Sequence, residues 1–194
     1  MGYRCDAPER SGPGPTGVAV VDGTVYGETP TSVFALSAAT GKRVWVNAHV
    51  LTGGEGTFGI QPQVADGRVY LASQYGPGPG DGVLIALNAT TGAVLWRFNT
   101  AVGPDPGVRA LGLGTGGAWE TPLVTVSNDL VFTTTLRELV ALNRRTGMIV
   151  LERKLPTTSN SPIAIAGNTL IVPAGGVTGR KQSRDPQVVA YMVR

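Results

Sequence analysis

AlaLeuSerAlaAlaThrGly (35–41), AlaLeuAsnAlaThrThrGly (86–92) and AlaLeuAsnArgArgThrGly (141–147) are three copies of one phrase. Four residues after the Gly stand Trp45 and Trp96 in the first two copies; Leu151 holds that slot in the third. A period of about fifty residues with strand-like content is the mark of a β-propeller or a similar array of sheets.

Around each phrase the grammar repeats. Two apolar runs flank a tight turn, a third run ends in the phrase, and a fourth follows the ThrGly. Unit one covers about 17–48, with AspGly at 22–23. Unit two covers about 60–100, with AspGly at 66–67. Unit three covers about 119–156 and turns at AsnAsp 128–129. Unit four begins at about 161, turns at GlyAsn 167–168, and lacks both the ThrGly and a fourth run. Asp-Gly between β-branched runs is a strong hairpin signal, because a type I′ turn needs positive φ at both central residues. Helical periodicity is absent at useful length. The expected fold is therefore all-β, an array of about four four-stranded antiparallel blades with the last incomplete. The expected organisation is a Gly/Pro-rich segment at 1–16 and a propeller-like domain at 17–194.

Composition narrows the function. The chain has 194 residues, 42% hydrophobic and 15% charged, with a net charge of +3. That length suits one domain with a real core. No basic stripe interleaved with aromatics is visible, so a nucleic-acid partner is not expected. Cys5 is the single cysteine and His49 the single histidine, so neither an intrachain disulfide nor a Cys/His metal cluster can form. No run approaches the roughly 18 apolar residues of a membrane span. The first ten residues lack the apolar core of a signal peptide. A mature form, a cytoplasmic protein and a missing upstream piece are the readings of that start.

Irregular sequence concentrates in one set of connections. In a four-stranded blade, the first-to-second and third-to-fourth turns share one face, and these are uniformly short here. The other connections, at 49–59, 75–82, 100–118 and 174–186, hold nearly all the non-repeating residues. Functional loops gather where a rigid scaffold presents them, so a site is expected on the long-loop face.

The unit ValXxxAspGlyXxxValTyr followed by AlaLeuAsnAlaThrThrGlyXxxXxxLeuTrpXxxPhe resembles the repeat of pyrroloquinoline quinone (PQQ) dehydrogenases, the quinoprotein alcohol dehydrogenase-like propellers. The same repeat occurs in the assembly lipoprotein BamB and in kinase sensor domains. The resemblance covers most of 17–194. Within it, 17–26, 95–106 and 161–176 are similar to an early blade, a blade end and the last blade of the dehydrogenases. Those enzymes close eight blades in a longer chain. The resemblance thus implies a shortened propeller, a fragment, or half of a ring completed by a second copy, and an extracytoplasmic or periplasmic setting.

The family holds Ca²⁺ or a lanthanide against PQQ with a Glu, an Asn and an Asp. Here Pro77 stands near the expected Glu, and Asp81 is the only acid of that loop. The family's adjacent cysteine pair and catalytic Asp motif have no counterpart. GlyGlyAlaTrpGlu (116–120) resembles the segment whose Trp stacks on the quinone, which makes Trp119 a cofactor-binding candidate.

Each candidate has a plain alternative. Trp45 and Trp96 recur in step with the repeat, so they are expected to pack between blades with the indole N–H on a backbone carbonyl. Trp119 breaks the period and either stacks on a ligand or packs a loop. Glu120 and Asp81 either share a cation or stay solvated; Ca²⁺ needs six or more oxygens. Arg180, with Lys181, Arg184 and Asp185, forms either a solvated loop or a clamp for a carboxylated ligand such as PQQ. His49 has no acid or nucleophile partner in sequence and is read as a polar loop residue.

Two functions follow. One is a scaffold that binds a ligand or a protein through its loops, without a complete quinoprotein site. The other is a PQQ-dependent alcohol or sugar dehydrogenase, or a piece of one. A half-ring would expose apolar blade faces at both ends, so a homodimer or a missing partner segment is expected, against a compact four-bladed monomer.

Overall fold

The computed structural model describes residues 17–29, 32–50, 61–73, 83–99, 124–134, 138–157, 159, 162–175, 177–178, 181–182 and 186–192. All regular structure in them is β. The first sheet is β1 (Val18–Val21), β2 (Thr24–Glu28), β3 (Val33–Ser37) and β4 (Arg43–Asn47), in that spatial order. The second is β5 (Gln63–Ala65), β6 (Arg68–Ser73), β7 (Val83–Asn88) and β8 (Val94–Asn99). The third is β9 (Thr125–Val126), β10 (Leu130–Thr134), β11 (Glu138–Asn143) and β12 (Ile149–Lys154). Each is an antiparallel meander, the blade expected from the repeat.

The fourth sheet differs. It holds β13 (Ala164–Ala166), β14 (Thr169–Ala174) and β17 (Gln187–Met192), three strands. The stretch 174–186 reads in sequence as an irregular connection. It carries a separate two-stranded ladder, β15 (Val177–Thr178) against β16 (Lys181–Gln182). Two residues on each side suffice to close such a pair, too few to leave a period in the sequence.

Turn chemistry sets the registers. Asp22 and Gly23 have φ of 49° and 72°, and Asp66 and Gly67 have 47° and 67°. Both pairs fit the type I′ hairpin that Asp-Gly predicts. Among the described residues only Asp22 and Asp66 are non-glycine residues with positive φ, so Asn128-Asp129 turns differently. There the Ser127 backbone N–H donates to the Leu130 carbonyl, and the Leu130 N–H donates to Ser127 Oγ. A register shift falls between Ala35 and Leu36, between Ala86 and Leu87, and between Ala141 and Leu142, the same place in three blades. The bulge lets the chain enter the ThrGly turn while Trp45 and Trp96 stay opposite Ala35 and Ala86.

The core lies between sheets rather than within one. Tyr26, Ala35 and Trp45 of the first blade pack on Val69, Leu71, Ile85 and Leu87 of the second. Tyr70, Ala86 and Trp96 of the second pack on Val131, Val140 and Leu142 of the third. Phe132 and Ala141 of the third pack on Leu170 and Val172 of the fourth. Each blade thus has a front face toward the next blade and a back face toward the one before. Opposed strand residues share a face, so the front rows are Tyr26–Ala35–Trp45, Tyr70–Ala86–Trp96 and Phe132–Ala141–Leu151.

Candidate functional site

The third-to-fourth-strand turns are where one blade grips the next. Trp45 Nε1 donates to the Ala89 carbonyl at 2.8 Å, and Trp96 Nε1 donates to the Arg144 carbonyl at 3.0 Å. Beneath each indole lies the Gly of the ThrGly turn. A Cβ on Gly92 would sit 2.5 Å from the Trp45 ring, and one on Gly147 would sit 2.7 Å from Trp96. Their φ values of 72° and 71° also favour glycine. Asn47 adds a bond from Nδ2 to the Gly92 carbonyl at 2.8 Å. The packing expected for Trp45 and Trp96 is what the structure has. In the third blade Leu151 is a partly buried neighbour of the last core cluster.

Arg144 binds the second blade to the third at their short-turn end. Its Nη2 lies 2.7 Å from Asp66 Oδ2, and its Nη1 donates to the Ser127 carbonyl at 3.3 Å. Arg68 adds a longer ion pair to Asp66, 3.6 Å. The guanidinium therefore fills the space between the first hairpin turns of these two blades. Close by, Tyr70 is fully buried, and its hydroxyl has no hydrogen-bond partner among the described residues. Burial pushes its pKa up to about 12, against the lowering influence of Arg144 and Arg68.

Between the third and fourth blades no described residue takes the place of Arg144. β17 has no following turn or strand among the described residues. A cleft of about 580 Å³ opens there. Asn128, Asp129, Asn168 and Thr169 line its rim, and Phe132, Ile165 and Leu170 its apolar wall. This is the size and mixed chemistry of a small-ligand pocket. It sits at the short turns, the end opposite to the long loops. The sequence signal for it was the absent ThrGly of unit four.

The end sheets of the array carry bare apolar faces. Val188 stands where the other blades have Val33, Leu84 and Leu139; these three are 0%, 1% and 0% exposed, and Val188 is 72%. Ala190 is likewise exposed at the position of the buried Ala35, Ala86 and Ala141. On the back of the first blade, Val20 is 61% exposed, while its counterpart Val64 is packed against the first core cluster. Val25 and Leu36 are half-buried, and their counterparts Val69 and Leu87 are fully buried. Among the described residues, no core cluster joins the fourth blade to the first.

The residues singled out for a cofactor or metal, Trp119, Arg180, Asp81 and Glu120, lie outside the described residues. So do Pro77, Arg184, Asp185 and Cys5. His49 is exposed, and its backbone N–H donates to Asn47 Oδ1 at 2.9 Å. Among the described residues no three His, Cys, Asp or Glu side chains converge as a metal site. No described helix is long and apolar enough to cross a membrane.

Comparison with known proteins agrees with the repeat geometry. The PQQ-repeat family model described as outer membrane protein assembly factor BamB matches residues 6–115 and again 80–191. Quinoprotein alcohol dehydrogenase PedH of Pseudomonas putida is 30% identical over 149 residues, 70% of this chain and 22% of that protein. The chain therefore spans under a quarter of that relative's length. Quinohemoprotein alcohol dehydrogenase from Comamonas testosteroni superposes with a TM-score of 0.56 at 21% identity, over 91% of this chain and 31% of that one. The computationally designed Ika4 protein matches over 100% of both chains with a TM-score of 0.63 at 13% identity. The recurring blades, the Trp-to-turn grip and the family match along residues 6–191 together place this chain in the PQQ-repeat β-propeller family, the family of the assembly factor BamB.

Proposed function

We propose that the chain is a binding scaffold: stacked blades that present surfaces to a ligand or to another protein, without a complete quinoprotein site. The observation that carries this reading is the exposure of Val188 at a position that is closed in the other three blades. An apolar sheet face of that kind lowers its free energy by covering itself with another sheet. The cleft at Asn128 and Asn168 offers a second, smaller surface for a ligand. Kinship with BamB, an assembly factor by name, supports a role in holding proteins together.

The second reading is a PQQ-dependent alcohol or sugar dehydrogenase, or a part of one. The 30% identity to PedH favours it. When bound, the quinone would take two electrons from the alcohol; Trp119 and Arg180 would stack on it and hold its carboxylates, and Asp81 and Glu120 would hold the cation.

A titration with PQQ, with and without excess Ca²⁺ or a lanthanide, separates the two. Trp fluorescence is followed in the wild type and in Trp119→Ala. The scaffold reading expects no saturable change. Cation-dependent quenching that is lost in Trp119→Ala overturns it in favour of the dehydrogenase.

A further inference from the structure

We infer that the two bare end sheets are the two halves of one interface, and that a second copy of this chain covers them. The front face of the fourth blade of one copy seats on the back face of the first blade of the other, and the reverse contact closes the ring. The inference rests on the binding-scaffold reading and names its occupant.

The chain already makes this front-on-back contact three times, once at each blade junction. The unpaired faces repeat the same rows. On the fourth blade, Ile171 continues the row of Tyr26, Tyr70 and Phe132, Ala190 that of the three buried alanines, and Val188 that of Val33, Leu84 and Leu139. On the first blade, Val25 continues the row of Val69, Val131 and Leu170, and Leu36 that of Leu87 and Leu142. Strand pairing makes these two faces mainly apolar: Val18, Val20, Val44 and Val46 lie on one, with Arg43 opposite Leu36 as its charged residue, and Ala164, Ala166, Pro173 and Met192 lie on the other, with Thr169.

The described residues therefore hold both a socket and its fitting part without joining them, since Val188 and Val20 stay 72% and 61% exposed. A contact between unlike faces closes when a rotation brings the second pair into register. Two copies related by a two-fold axis bury all four end faces in one ring of sheets. The new junction does not need a Trp grip. The third and fourth blades already pack with Leu151 in the Trp slot and no ThrGly turn opposite.

The test is the mass in solution of the 194-residue chain by sedimentation at about 10 µM, a concentration at which a specific apolar interface is occupied. The two-chain mass is expected for the wild type. Val188→Asp and Val20→Asp alter exposed side chains on opposite ends, so each is expected to keep the β circular dichroism and to sediment as one chain. A one-chain wild type overturns the inference, as does a ladder of larger species. A two-chain Val20→Asp overturns the head-to-tail arrangement, because a dimer through fourth blades alone would not feel that change. The quinone titration reads a different property, so a one-chain result here leaves the scaffold reading standing.

Discussion

Trp96 and Arg144 lie 48 residues apart, and the indole N–H of the first donates to the backbone carbonyl of the second at 3.0 Å. Trp45 and Ala89 make the same bond across 44 residues at 2.8 Å. The ring faces repeat as well: Tyr26 and Trp45 have centroids 6.2 Å apart, and Tyr70 and Trp96 6.0 Å. The Trp of one repeat is thus received by the ThrGly of the next. The phrase recurs because it is half of a joint.

Breaking that joint at either side should loosen one blade junction. Trp96→Phe loses a buried hydrogen bond and part of the indole area, an expected cost of about 1–2 kcal/mol. Gly147→Ala forces a Cβ to 2.7 Å from the indole at a φ of 71°, and should cost about as much or more. Urea unfolding reads both. In a Trp96→Ala background, Gly147→Ala should cost less than in the wild type, because the clash is gone and only the φ strain remains.

The third slot should behave differently. Leu151→Trp restores the repeat in sequence but finds no ThrGly turn among the described residues of the fourth blade to receive it. No gain in stability is expected, and a rise in urea midpoint would contradict the pairing of Trp with turn.

Tyr70 carries a buried hydroxyl without a partner among the described residues and a pKa of about 12 against an ordinary 10. Below pH 10 both folded and unfolded chains keep the proton. Between pH 10 and 12 the unfolded chain releases it and the folded one does not. Stability should therefore hold up to about pH 10 and fall as pH rises through 12, by about 2.7 kcal/mol at most. Tyr70→Phe removes that slope. It should also be neutral or slightly stabilising at pH 7, since it deletes an unsatisfied polar atom.

Arg144 is expected to matter more for what it fills than for its charge. Asp66 is well exposed, so a double-mutant cycle of Asp66→Ala with Arg144→Ala should give a coupling below about 1 kcal/mol. Arg144→Ala alone should cost more, because its stem closes the space between two hairpin turns. Thermal melts at low and high salt should shift little between them if packing dominates.

Much of the blade is legible in the sequence. Asp22-Gly23 and Asp66-Gly67 named their hairpins because few other residue pairs tolerate positive φ twice in succession. Trp45, Trp96 and Leu151 named a docking slot by recurring in phase. The short β15–β16 ladder was not legible, since two-residue strands leave no period. Nor was Arg144, whose guanidinium acts across blades on a partner 78 positions away. The cleft by Asn128 was hinted at only by a missing turn. The cofactor candidates Trp119, Arg180, Asp81 and Glu120 rested on resemblance to a family whose members differ in activity.

The sequence by itself determined the all-β class, the number of repeats, the turns and the family. These are local properties: a turn type, an alternation and a repeated phrase each depend on residues close in the chain. Tertiary structure alone decided which face of each sheet is covered. Val33 and Val188 occupy the same position of the same blade grammar, and one is sealed while the other faces solvent. Burial depends on whether another blade stands in front, and no residue carries that information in its own neighbourhood.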